Sequence, residues 1–95
     1  MKHGEQIKSR IIATGLGLWR DDPAKVSARR IGQTLGLTHS AVLYHFGTTE
    51  AMRAAIAAEA VRIGDSVIVP LLIASRHPAA AGINAADRAR FLSAC

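Results

Sequence analysis

The fold of this chain is decided by residues 35–47, which read LGLTHSAVLYHFG. Gly36 stands where a helix ends and the chain turns, and Thr38 is a residue type that begins a helix by accepting a backbone hydrogen bond. The helix predicted over 39–45 carries two histidines, a serine and a tyrosine on its exposed face. This pattern predicts a helix-turn-helix, whose second helix has the size to enter the major groove of duplex DNA.

Apolar residues at helical spacing predict further helices on both sides of this motif. Besides 39–45, the predicted helices cover 5–20, 28–35, a longer Ala-rich segment that ends at about residue 63, and 85–94. Residues 66–76 are strongly apolar and contain Pro70, which predicts either a kinked continuation of the fourth helix or a separate helix. Residues 77–84 are predicted to form a loop.

The boundaries of these helices follow from the residues between them. Pro23 stops the first helix, because the residue before a proline disfavours helical dihedrals. Ser27 is expected to cap the second helix, Gly47 to end the third, and Thr48 or Thr49 to cap the fourth.

The residues on the apolar stripes of these helices are the expected core. Trp19 lies on the stripe of the first helix, Ile31 and Leu35 on that of the second, and Val42 anchors the third together with Phe46. The face predicted for the fourth helix consists of Met52, Ala55, Ile56, Glu59, Ala60 and Ile63.

These elements predict an all-α protein. Its core is a homeodomain-like, three-helix helix-turn-helix, followed by the longer fourth helix and short C-terminal helices. Residues 1–47 would form the DNA-binding unit, and residues 48–95 a helical segment that dimerises. Residues 66–76 carry more apolar surface than a small monomer exposes, so we expect them to be buried against a partner.

The distribution of charge points to a polyanion. Residues 1–46 hold seven basic and three acidic side chains, a net charge of +4, whereas residues 47–95 hold five and four, a net charge of +1. DNA is the natural partner, because neutralising phosphates releases counterions. Arg29 and Arg30 begin the second helix, where positive charge opposes the helix dipole, so a functional reason for them is favoured over simple solubility.

Other classes of function find little support in the residues. The histidines and the single cysteine, Cys95, show no metal-ligand spacing, and there is no glycine-rich phosphate loop. We therefore expect no enzyme, no metal and no cofactor. The apolar run 67–74 is too short for a membrane span, which takes about 20 residues. With no signal peptide and no possible internal disulfide, a cytoplasmic location is expected.

Several short motifs carry a resemblance to a known family. They are RIIA at 10–13, Leu-x-Leu-Trp at 16–19, SARRIG at 27–32, GLT at 36–38, YHFG at 44–47 and EAM at 50–52. At nearly the spacing found there, they resemble the N-terminal DNA-binding domain of the TetR family of transcriptional repressors. The resemblance covers about residues 5–56, and members of this family act as homodimers on near-palindromic operators.

The resemblance implies a set of DNA contacts. Ser27 and Arg29 match positions that contact the DNA backbone and, for the arginine, sometimes a base. The positions that match the recognition helix are Thr38, His39 and Ser40 for backbone and base contacts, and Leu43, Tyr44 and His45 for base methyls and phosphates. Arg30 joins these candidates because of its charge.

The chain departs from the family in three places. Thr49 stands where the family carries a phosphate-binding lysine; it remains a candidate contact, without the charge. The loop before Ser27 is one residue shorter and lacks the usual glycine-aromatic pair. Residues 64–95 stand where the family has its large ligand and dimerisation domain, so a small-molecule effector is doubtful and the chain is expected to be a minimal repressor or a fragment.

Plainer interpretations remain open beside these contacts. Tyr44 could be half-buried and support the fourth helix, and His39 and His45 could be ordinary solvated side chains. The expected function is a repressor that occludes a promoter as a homodimer. The alternative is a protein-interaction module, such as an antirepressor or a heterodimer partner, built on the same helix-turn-helix.

Overall fold

Every regular element in the computed structural model, which describes residues 2–93, is helical. The α-helices are α1 (Lys2–Asp21), α2 (Ala28–Leu35), α3 (His39–Tyr44), α4 (Thr49–Ile63), α5 (Ile68–Ala74) and α6 (Ala85–Ser93). Two single 3-10 turns lie at Pro23–Lys25 and Pro78–Ala80. The all-α prediction is confirmed. Ala94, the last residue of the helix predicted over 85–94, and Cys95 lie outside the described residues.

Local side-chain hydrogen bonds define the starts of the helices. The hydroxyl oxygens of Ser27 and Thr38 accept from the amides of Arg30 and Ala41, at 3.1 Å and 3.0 Å. Thr48 caps α4 in the same way, which settles the choice between the two threonines. The predicted bounds of α2 are confirmed, because a cap and a turn glycine mark its two ends.

The first and third helices differ slightly from their predicted limits. α1 begins at Lys2 rather than residue 5, since residues 2–4 contain no proline and Gly4 lies within the helix. α3 ends at Tyr44, one residue early, because the chain already turns toward Gly47, whose φ is 89°. A left-handed residue of this kind cannot continue a helix.

The chain divides into two units between Ile56 and Ala57, so α4 begins in the first unit and ends in the second. In the first unit the buried residues include Ile11, Trp19, Ile31, Val42 and Ile56. The predicted core positions Trp19, Ile31 and Val42 are thus confirmed. Leu35 and Phe46 are only half-buried, and the ammonium of Lys8 lies 5.3 Å from the centroid of the Phe46 ring.

Residues 66–76 contain a separate helix, α5, because the chain breaks at Gly64, whose φ is 66°. The carboxylate of Asp65 then accepts hydrogen bonds from the amides of Val67 and Ile68, at 2.9 Å and 2.8 Å. Asp65 thereby satisfies two of the donors that every helix start leaves unpaired.

Most apolar surface of this segment is buried within the chain itself. Ile68, Val69 and Leu72 are buried, which corrects the expectation that this segment needs a partner to cover it. The face predicted for α4 is corrected at its end, since Ile63 is exposed and Ala57 is buried. Large apolar side chains that stay between 42% and 48% exposed in the second unit are Ile63, Val67, Leu71 and Leu92.

Candidate nucleic-acid interface

The turn between α2 and α3 depends on two glycines. Gly36 adopts φ 73°, a left-handed conformation that residues with a Cβ rarely reach. Gly32 lies against the following backbone: the amide of Leu37 donates to its carbonyl at 2.8 Å, and a Cβ on Gly32 would stand 2.5 Å from the carbonyl oxygen of Leu37. These contacts set the angle at which α3 leaves the turn.

α3 is anchored by one side and presents the other to solvent. Val42 is fully buried and Leu43 is half-buried, whereas His39 and Ser40 are exposed. Tyr44 is 85% exposed, so the interpretation of a half-buried residue that supports α4 is wrong. A phenol this exposed contributes almost no burial to the fold and is available to a partner.

The half-buried His45 lies beside Tyr44 at the end of the same helix. The two rings meet edge to face, with their centroids 5.5 Å apart. Each of the two side chains carries a group that can donate a hydrogen bond to phosphate or to a base edge.

The N-terminal residues of three helices lie around one depression. Its volume is about 320 Å³, and its lining residues are Ser27, Ala28, Arg29, His39 and Thr49. The structure thus brings four of the predicted contacts together: Ser27, Arg29, His39 and Thr49. Arg30, Thr38, Ser40, Leu43, Tyr44 and His45 do not line this depression, although all belong to α2, α3 or their caps.

The cations beside this depression differ in their pairing. Within residues 2–93, Arg29 is exposed and its side chain makes no hydrogen bond or ion pair. Lys25, two residues before Ser27, donates to the carboxylate of Asp21 at 2.7 Å. That hydrogen bond and the charge of Lys25, with a smaller contribution from Arg30, lower the pKa of Asp21. Asp21 therefore holds Lys25 in the unbound protein.

Arg53 is a residue that sequence reasoning missed. Its Nη1 atom donates to the carbonyl oxygens of Pro23 and Val26, at 3.1 Å and 2.8 Å. Its guanidinium also lies over the ring of Trp19, 4.8 Å from the centroid. These partners are 27 or more residues away in sequence, and no local pattern in α4 distinguishes Arg53 from a solvated arginine.

In the described part of the chain, no group of three or more histidine, cysteine, aspartate or glutamate side chains could hold a metal ion. No described helix is both long and apolar enough to cross a membrane. Compared with known proteins, the chain matches no family model, no curated protein and no solved structure.

Proposed function

We propose that this protein binds double-stranded DNA in a sequence-dependent manner through α3 and regulates transcription from the site that it occupies. The observation that carries this proposal is Tyr44. It is 85% exposed on a helix that the fully buried Val42 fixes in place. An aromatic side chain held out on a short, anchored second helix suits contact with base edges and sugars in a major groove.

Charge supports the same surface. Arg29 stands unpaired among the described residues at the start of α2, next to the hydroxyl of Ser27. The Ser27 oxygen accepts from the Arg30 amide, which leaves its hydroxyl hydrogen free to donate to a phosphate. We assign Arg29, Arg30 and Ser27 to the DNA backbone and His39, Ser40, Tyr44 and His45 to the groove, with Thr38, Leu43 and Thr49 at the margins of the contact.

A homodimer on a near-palindromic operator is the form in which this activity would work. Two copies would place their α3 helices in successive major grooves, about 34 Å apart. The exposed Ile63, Val67 and Leu71 would supply apolar surface for a second copy. Repression in the cytoplasm would follow from occlusion of a promoter, as the TetR-like motifs suggest, and occlusion does not require a small-molecule effector.

The test is selection of bound sequences from a random duplex pool at near-physiological salt. We expect enrichment of an inverted repeat, whose half-site spacing reports the separation of the two α3 helices. A folded sample that enriches no sequence would refute the proposal. Salt dependence gives a second check, because binding dominated by phosphate contacts must weaken steeply as salt rises.

A protein-interaction module is the second candidate, and the composition of α3 favours it. The helix carries no lysine, arginine or carboxylate, and its most exposed side chain is a tyrosine, a residue type that is common at protein interfaces. Such a module, an antirepressor or heterodimer partner, would gain no thermal stability from any duplex. A DNA-binding protein gains stability in proportion to the logarithm of the DNA concentration.

A further inference from the structure

The side chain of Arg53 joins α4 to the segment that precedes α2. It crosses from the first half of α4 to both ends of the Pro23–Lys25 turn, where one nitrogen donates to the carbonyls of Pro23 and Val26. Val26 is itself buried and is followed directly by Ser27, the cap of α2. Arg53 therefore holds the peptide immediately before the first predicted DNA contact.

The residues around Arg53 restrict the movement of its side chain. Its neighbours Met52 and Ile56 on α4 are fully buried, and its guanidinium lies over the ring of Trp19, which is 4% exposed. A planar guanidinium between an aromatic face and two carbonyls has few alternative positions. Within the described residues, no acidic side chain pairs with Arg53, so the protein groups that stabilise its charge are the two carbonyl dipoles and the ring.

We infer that Arg53 is a positioning residue for DNA binding: it fixes the backbone before α2 so that Ser27 and Arg29 meet phosphate. This inference rests on the proposed function. Arg53 acts through Arg29 and not through α3, whose turn depends on Gly32 and Gly36. Its loss should therefore affect contacts from the start of α2 and leave those of Tyr44 intact.

The first experiment needs no DNA and compares two equivalent capped amides by hydrogen exchange. The amide of Arg30 donates to Ser27, and the amide of Ala41 donates to Thr38, at nearly the same distance. In Arg53→Met, which keeps the apolar stem, the Arg30 amide should exchange about tenfold faster while the Ala41 amide is unchanged. Equal acceleration of both amides, or of neither, overturns the inference.

The second experiment measures DNA affinity in a double-mutant cycle. Arg53→Met should weaken binding about tenfold in the otherwise unchanged protein, but hardly at all once Arg29→Ala has removed the contact that it positions. In a Tyr44→Ala background the full tenfold loss should persist. Additivity with Arg29→Ala would show instead that Arg53 meets phosphate directly, or acts elsewhere, and the inference would fail.

Arg53→Lys separates charge from geometry. Lysine keeps a positive charge and N–H donors but lacks the planar guanidinium that lies over Trp19. We therefore expect partial protection of the Arg30 amide from exchange and an intermediate DNA affinity. If Arg53→Met and Arg53→Lys both fail to fold, Arg53 is required for folding itself and the inference is wrong. If the unchanged protein binds no duplex, the proposed function fails, while the exchange experiment still decides whether Arg53 holds the start of α2.

Discussion

The ammonium group of Lys25 lies 2.7 Å from a carboxylate oxygen of Asp21, four residues earlier in the chain. Both side chains are substantially exposed, so the pair contributes little to the fold. The pair affects the proposed DNA-binding surface, because Asp21 binds the ammonium group of Lys25, which lies two residues before Ser27. The lowered pKa of Asp21 means that the pair persists at neutral pH and is lost as pH falls through that lowered value.

Asp21→Asn should strengthen DNA binding. The change releases Lys25 toward phosphate, and we expect affinity to rise roughly threefold, with a dependence on salt that is steeper by about one phosphate contact. The matched control is Asp87→Asn, which also removes one negative charge that pairs with a basic side chain, Arg90, but lies in the second unit. An equal gain from both variants would show that net charge alone is responsible.

Tyr44→Ala should separate binding from folding. Because Tyr44 is 85% exposed, its removal should leave the melting temperature nearly unchanged while DNA affinity falls about tenfold. The neighbouring Val42→Ala should do the reverse and lower the free energy of unfolding by about 2 kcal/mol, since Val42 is fully buried. Thermal melts and a binding titration on both variants test this pairing, and unfolding of Tyr44→Ala would contradict it.

Two glycines of α1 should respond to alanine with opposite signs. A Cβ on Gly15 would overlap the buried side chain of Ile56, whereas a Cβ on Gly17 meets nothing within 4 Å. Gly15→Ala should destabilise the protein by about 1–3 kcal/mol through overpacking. Gly17→Ala should stabilise it by about 1 kcal/mol, because alanine is the better helix former.

Chemical denaturation of the two glycine variants measures both effects. The double variant Gly15→Ala with Ile56→Val distinguishes overpacking from other causes, because it removes part of the overlapping side chain and should recover some of the lost stability. Loss of the same stability from Gly15→Ala and Gly17→Ala would contradict the close approach of Gly15 and Ile56.

The start of α5 should depend on a single carboxyl group. Asp65→Ala removes the acceptor of the Val67 and Ile68 amides and should cost about 1–2 kcal/mol of stability. Asp65→Asn keeps the Oδ1 acceptor and should cost less than half as much. Denaturation curves for the two variants check the order, and an equal loss from both would assign the effect to charge rather than to capping.

The sequence alone predicts where the helices begin and turn. Ser27, Gly36 and Thr38 determine where α2 and α3 begin and turn, and they act on backbone groups no more than four residues away. Hydrogen bonds of this range depend on residue type and order alone. The same reasoning placed Trp19 and Val42 in the core, because helical periodicity assigns a face to each residue.

Faces that depend on distant neighbours could not be predicted in this way. Residues 66–76 have an apolar sequence that suits either a partner or the chain's own interior, and the structure shows most of that surface buried within the chain. The sequence permits two interpretations of Tyr44 for the same reason, since the exposure of its side chain depends on what packs beside α3.

Helix starts, turns and the positive charge of the first 46 residues thus follow from the order of the residues, because each depends on neighbours in the chain or on composition. Only the folded chain shows three features: the hydrogen bonds of Arg53 to Pro23 and Val26, the pairing of Lys25 with Asp21, and the exposure of Tyr44. They depend on which side chains and helices meet in space, and packing decides that among many arrangements that the local pattern permits equally.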